Sequence, residues 1–138
     1  MRRDGFTLIE LAAVVAILLV LVVALAPRIQ ANRSAQFYAE AQALGLSVAQ
    51  AVQNYLVQDP DRTPATFAAD LNLSPTSAPP GRPNGSYFDC SGGGDLNPAV
   101  RWAGTASTEI KCVFEPVDST RFRVYTWWTQ DPNRVFIY

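Results

Sequence analysis

The most prominent feature of the hydrophobic pattern is an apolar run near the start of the chain. Nineteen of the twenty-one residues from 6 to 26 are apolar, and the two exceptions are Thr7 and Glu10. A helix rises about 1.5 Å per residue, and about 20 apolar residues are needed to cross a bilayer. The pattern therefore predicts a membrane-spanning helix over residues 6–27, with the rest of the chain outside the membrane.

A second helical pattern, with only one apolar face, follows Pro27. Its apolar residues recur at steps of three and four and are Phe37, Ala41, Leu44, Val48, Ala51, Val52, Tyr55 and Leu56. This periodicity predicts an amphipathic helix packed on other elements, with a coiled coil as the less favoured alternative. Asp59-Pro60 would end it, so we expect one long helix over residues 6–58, with a kink at Pro27.

The downstream pattern predicts a small antiparallel sheet. Thr63-Pro64 should cap a short helix, and residues 74–86, rich in proline, should form a surface loop. Three strand-like runs follow at Ile110–Glu115, Arg121–Trp128 and Arg134–Tyr138. In the middle run, alternation places one set of side chains on one face and Arg121, Arg123, Tyr125 and Trp127 on the other. The expected fold is α+β, a long helix packed on an antiparallel β-meander.

Composition narrows the possible functions. The chain has 138 residues, a net charge of −1 and no histidine, which excludes histidine-based catalysis and histidine metal sites. We find no nucleophile–base pair, paired acids or phosphate-binding loop, so we expect neither an enzyme nor a cofactor. Cys90 and Cys112 follow an apparent export segment, and an oxidising compartment favours a disulfide between them over two free thiols.

Glu10 is the residue that a simple membrane anchor leaves unexplained. An acid costs about 2.5–3.5 kcal/mol in the middle of a span on insertion scales and less near its end, and intramembrane acids are usually paired or functional. Cleavage after Gly5 would give Phe6 a free, positively charged amine. A neighbouring helix shifted by about one turn could place that amine against Glu10 and neutralise both charges, so that Glu10 sets the register of assembly.

The segment from Gly5 to Leu11, GFTLIEL, preceded by Arg2-Arg3, resembles the class III signal of type IV pilins and pseudopilins. The resemblance implies that a membrane peptidase removes the leader 1–5 and methylates Phe6. It also implies that Glu10 directs assembly, that Pro27 kinks the helix, and that residues 28–138 form a globular pilin domain. The implied partners are further copies of the chain in a helical filament, the prepilin peptidase/methyltransferase, the inner-membrane pilus assembly machinery and membrane lipid.

The location implied by the resemblance is the inner membrane, with one span and a periplasmic domain, and after assembly an extracellular pilus. Adhesion, twitching motility or competence would be its task. The alternative within the family is a pseudopilin or minor pilin of a type II secretion or DNA-uptake machine. Outside the family, the alternative is a membrane-anchored periplasmic binding module.

Two further hypotheses concern ligands of the globular domain. Asp89 and Asp95 flank three glycines and could hold calcium, although two acids are few and a plain turn is favoured, so no metal site is expected. Arg121, Arg123, Tyr125 and Trp127 on one strand face could bind DNA through phosphates and stacking, although solvated arginines are the favoured interpretation.

Overall fold

The computed structural model describes residues 7–138, apart from the side chains of residues 25–32. The chain divides into two compact units, Met1–Gln36 and Phe37–Tyr138. Helix α1, Leu8–Gln58, supplies the described part of the first unit and the first element of the second. The predicted long helix is thereby confirmed, and its end at Gln58 agrees with the stop expected at Asp59-Pro60.

Within the part of the chain that the structure describes, no helix offers an apolar stretch of the length that a membrane crossing requires. The predicted span 6–27 is therefore not shown, and Phe6 and the side chains of 25–27 lie outside the described residues. Helical structure continues through position 27. The kink at Pro27 stays a prediction because the Pro27 side chain is among those not described.

The short second helix forms as its sequence predicts. Helix α2 is Pro64–Asp70, and the Thr63 side chain accepts a hydrogen bond from the backbone N–H of Thr66. The Thr66 hydroxyl in turn accepts from the backbone N–H of Thr63 at 2.9 Å. These reciprocal bonds satisfy donors that the first helical turn leaves free, and Pro64 at the first helical position loses no helical bond.

The second unit contains a five-stranded antiparallel sheet in the order β1-β2-β5-β6-β7. Its strands are β1 Pro75–Thr76, β2 Tyr87–Asp89, β5 Ile110–Pro116, β6 Phe122–Trp128 and β7 Val135–Ile137. A separate hairpin pairs β3, Gly94–Asn97, with β4, Val100–Trp102. The predicted meander is confirmed as β5-β6-β7, whereas β1 to β4 are additional strands.

The sheet packs one face on the amphipathic half of α1. Val48, Val52 and Tyr55 from the helix are fully buried in one cluster with Phe114 of β5 and Val124 of β6. The predicted apolar stripe of the helix is thus a core face, as expected, and not a coiled-coil seam within this chain.

Backbone pairing between β6 and the end of the chain continues beyond β7 to Tyr138. The N–H and C=O of Tyr138 both pair with Val124, at 2.9 and 3.0 Å. The Tyr138 ring packs against the same core, where it faces Gly45 of α1. A β-carbon at Gly45 would lie 2.5 Å from the ring, so the absence of a side chain at position 45 makes room for the tyrosine.

The other face of the sheet is covered in part by the segment 77–86. Tyr87, Val113 and Tyr125 form a second buried cluster there, to which Ala78 contributes. The Tyr87 hydroxyl donates to the backbone oxygen of Pro83 at 2.7 Å, which fixes the segment on the sheet. The predicted surface loop is therefore also a cover for the strand face that points away from α1.

Candidate functional site at the start of helix α1

Thr7 and Glu10 form a reciprocal cap at the start of α1. The backbone N–H of Thr7 donates to Glu10 Oε2 at 3.3 Å, and the backbone N–H of Glu10 donates to Thr7 Oγ1 at 3.1 Å. The Thr7 carbonyl accepts the first helical hydrogen bond, from Leu11. The arrangement is a capping box, in which a hydroxyl and a carboxylate three residues apart satisfy two free N–H groups.

The capping role of Glu10 was not anticipated, although the sequence contains its signal. Thr7-Leu-Ile-Glu10 has the hydroxyl residue and the acid at capping-box spacing before an apolar run. Glu10 thus has a local structural role within its own helix. A test of its role in assembly has to separate its charge from its cap.

Glu10 is exposed and surrounded by exposed apolar side chains. Every large apolar side chain from Leu8 to Val23 is between 47 % and 85 % exposed. Isolated apolar residues on a surface are ordinary, but a contiguous apolar surface of this kind marks a region covered by a partner or by lipid. The predicted cleavage residues Gly5 and Phe6 lie outside the described residues, so cleavage and methylation stay predictions.

The predicted disulfide between Cys90 and Cys112 is present. The two α-carbons are 5.0 Å apart, and both residues are at most 1 % exposed. The bond joins the residue after β2 to the middle of β5, and it encloses the β3-β4 hairpin. The Trp102 indole N–H donates to the Cys90 carbonyl at 3.0 Å, which ties the hairpin to the bridge.

The aspartates considered for calcium have local roles. Asp89 Oδ1 accepts hydrogen bonds from the backbone N–H of Ser91 at 2.9 Å and from its hydroxyl at 2.6 Å. Asp95 lies in β3 opposite Arg101. Among the described residues, no cluster of three or more metal-ligating side chains is found. The glycine-rich segment is a turn leading into a hairpin.

The strand face considered for DNA is not the open row of side chains that alternation suggested. Tyr125 is fully buried, with its hydroxyl donating to Glu115 at 2.6 Å. Arg123 lies 3.5 Å from the same carboxylate, and Arg121 is paired with an aspartate. The Tyr125 ring is covered and offers no surface on which a base could stack, whereas Trp127 is half-buried and keeps part of its surface open. DNA binding itself stays a prediction.

The partner of Arg121 is Asp118. Hydrogen bonds from the backbone N–H of Thr120 and from the Arg121 guanidinium hold the pKa of Asp118 at about 2. The Asp118 carboxylate also accepts from the backbone N–H of Arg121 at 2.8 Å. The β5-β6 turn therefore holds an ion pair between Asp118 and Arg121. Because Asp118 already neutralises Arg121, this face has less positive charge for binding a phosphate than the sequence suggested.

Comparison with known proteins identifies the class of the first segment. Residues 1–26 match the family described as the prokaryotic N-terminal methylation motif, which is the class III signal of type IV pilins and prepilins. The match supports a type IV pilin-like or pseudopilin protein, and its family is a structural signal motif, not an enzyme family. No curated protein and no solved structure matches the chain.

Proposed function

We propose that this chain is the structural subunit of a type IV pilus, cleaved between Gly5 and Phe6 and methylated on Phe6. The observation that carries the proposal is the methylation motif over residues 1–26. An exposed apolar surface on α1, which begins at Leu8, agrees with this motif. Residues 6–27 span the inner membrane before assembly, and residues 28–138 form the periplasmic domain and then the filament surface.

The apolar surface explains how one segment serves both states. Side chains such as Leu8 and Ile9, both more than 80 % exposed, have no cover within the described chain. Lipid covers them before assembly, and equivalent helices of other copies cover them in the filament. Lipid tails and apolar side chains are similarly apolar surroundings for a helix. Replacing lipid contacts by helix contacts therefore has a small net free energy, and packing and polar contacts decide which state is favoured.

Glu10 supplies such a polar contact. Its carboxylate pairs with the Phe6 amine of a neighbouring copy, and each charge then has a partner when the helices bury it. The assembly machinery and the peptidase are the other partners that this processing requires. Before assembly, the capping box provides a hydrogen-bond partner for the Glu10 carboxylate, because one of its oxygens accepts from the backbone N–H of Thr7.

The experiment compares three variants in the native cells and isolates charge from cap. Glu10→Ala removes both, Glu10→Gln keeps a capping side chain without the charge, and Thr7→Ala is the matched control that weakens the cap and keeps the charge. We expect Glu10→Ala and Glu10→Gln to lose incorporation into sheared surface fibres, while Thr7→Ala is incorporated. Normal incorporation of Glu10→Gln would refute the charge role of Glu10.

Mass spectrometry of the mature chain tests processing independently of assembly. The expected product begins at Phe6 and carries one added methyl group, and it is lost when the prepilin peptidase gene is deleted. A chain that keeps residues 1–5 in cells with active peptidase contradicts the proposal. A chain that is processed but never found in surface fibres contradicts the pilus role and favours a pseudopilin.

A further inference from the structure

The outer face of the sheet contains a cavity that the assembly role does not use. It has a volume of about 330 Å³ and lies between the start of the covering segment 77–86 and the strands β5 and β6. Ligand pockets in proteins have volumes of about 300–1,000 Å³, so this one suits a small ligand. Its polar and aromatic lining consists of Thr76, Ser77, Asp89, Lys111, Trp127 and Thr129.

Trp127 provides the apolar wall of this cavity. It alternates with Tyr125 on the same face of β6, but the two rings have different surroundings. Arg82 from the covering segment lies over the Tyr125 ring at 5.2 Å, and Tyr125 is fully buried. Trp127 packs beside Val113 in the same cluster but is only half-buried. The covering segment 77–86 therefore hides the Tyr125 ring but only part of Trp127, and the remaining surface of Trp127 is available to a ligand.

The polar groups around Trp127 have hydrogen-bonding capacity to spare. Lys111 is the cross-strand neighbour of Trp127 and the only lysine of the chain. Within the described chain, Lys111 takes part in no ion pair and the hydroxyls of Thr76 and Thr129 make no hydrogen bond to protein. All three residues are exposed, so the cavity is open to solvent. Asp89 uses Oδ1 for Ser91 and makes no protein hydrogen bond through Oδ2.

The charges that line the cavity decide which ligand it suits. Lys111 and Asp89 are one cation and one anion, so their formal charges cancel. A phosphate would gain from Lys111 and lose against Asp89, which disfavours nucleotides and nucleic acid. A neutral ligand with one apolar face and a rim of hydroxyls suits an aromatic ring surrounded by donors and acceptors.

We propose that this cavity is a saccharide-binding site in which a neutral pyranose ring lies against Trp127. The hydroxyls of the sugar would reach Asp89, Lys111 and Thr129, while its C–H face covers the exposed part of the indole. The site belongs to the globular unit and is independent of the assembly role of Glu10. It would give the filament surface a weak contact that many copies can repeat, and repetition multiplies weak affinities into avidity.

The test uses the full chain in micelles of a detergent without a sugar headgroup, because a glycoside detergent would compete. The probes are methyl β-D-glucopyranoside, methyl β-D-galactopyranoside and N-acetylglucosamine. Their binding is measured by saturation-transfer NMR and by tryptophan fluorescence. For a ligand of this size we expect saturable binding of at least one probe, with a Kd on the order of 1–10 mM. Transfer should be strongest to the ring C–H protons of one face.

Two variants and one control assign the binding to the cavity. Trp127→Leu should weaken binding at least tenfold. Asp89→Asn should weaken it about fivefold, while its amide oxygen can still accept from Ser91 and keep the turn. Asp95→Asn is the matched control, because Asp95 lies in β3 and does not line this cavity. If Trp127→Leu fails to fold by circular dichroism, the comparison of Asp89→Asn with Asp95→Asn decides.

Three results would overturn the proposal. The first is no saturable binding of any of the three saccharides at about 50 mM, well above the Kd expected for a ligand of this size. The second is binding that Asp89→Asn leaves unchanged, which would place the saccharide elsewhere. The third is Trp127-dependent binding of an oligothymidylate without binding of any saccharide, which would make the surface a nucleic-acid site.

Discussion

The close approach of Tyr138 to Gly45 predicts that the effect of Gly45→Ala on stability changes sign when the Tyr138 ring is removed. An alanine β-carbon at position 45 would lie 2.5 Å from Tyr138 Cε2 and 2.6 Å from Cδ2. Contacts this short require the ring to move, yet the Tyr138 backbone is held by its pairing with Val124. Overpacking of this kind costs about 1–3 kcal/mol.

Helix propensity acts in the opposite direction. Replacing glycine by alanine inside a helix gains about 1 kcal/mol. We therefore expect Gly45→Ala to lower the free energy of unfolding by about 1 kcal/mol in the natural background, the balance of the overpacking cost and the helix gain. With Tyr138→Ala the ring is gone, and the nearest remaining atom is Thr126 Cγ2 at 3.2 Å, a tight contact. Gly45→Ala should then stabilise by up to about 1 kcal/mol.

The assay is a double-mutant cycle by urea unfolding of the full chain in micelles. Tryptophan fluorescence reports on the second unit, because Trp102, Trp127 and Trp128 all lie in it. The expected coupling between positions 45 and 138 is about 1–3 kcal/mol, with Tyr138→Phe as the control that keeps the ring and therefore the cost. A coupling below about 0.5 kcal/mol would refute the steric argument, since independent sites add to within that limit.

Two other predictions concern the stability of the globular unit. Replacing Cys90 and Cys112 together by alanine should lower the free energy of unfolding by about 3 kcal/mol, from the loop entropy of a bridge spanning 22 positions, and a loss below about 1 kcal/mol in urea unfolding contradicts this. Stability should also fall as pH rises above about 10, because the unfolded chain releases phenol protons before the folded chain does. A hydrogen bond to Asp131 raises the pKa of Tyr38, and burial raises the pKa of Tyr55, Tyr125 and Tyr138. Unfolding measured from pH 8 to 11 checks this, and a flat profile, or one that Tyr125→Phe does not flatten in part, contradicts it.

Most regular elements were predictable because their signals are local. The step of three and four residues from Phe37 to Leu56 identified the core face of α1, and Thr63-Pro64 identified the start of α2. Strands β5 and β6 are seven residues each, long enough for alternation to identify them. The disulfide followed from two cysteines in a chain with an export signal.

Strands β1 to β4 were not predicted, since each has only two to four residues and none follows a long strand through a tight connection, as the three-residue β7 does after β6. So short a segment shows little alternation, and β1 begins with proline while β3 begins with glycine. Their pairing depends on partners far along the chain, such as Phe88 opposite Phe114. The capping box of Thr7 and Glu10 was missed for another reason, because its local signal was present but was interpreted only as part of an assembly motif.

The sequence by itself determined that this chain carries a class III signal, a lone acid in an apolar helix, an amphipathic helix and an antiparallel meander. These features depend on composition, spacing and neighbours within a few residues. Tertiary structure alone decided that Tyr125 is buried and Trp127 half-open, and that Tyr138 needs a glycine at position 45. Alternation assigns a side chain to a face of a strand, but what covers that face is decided by segments distant in sequence, and their placement depends on packing of the whole unit.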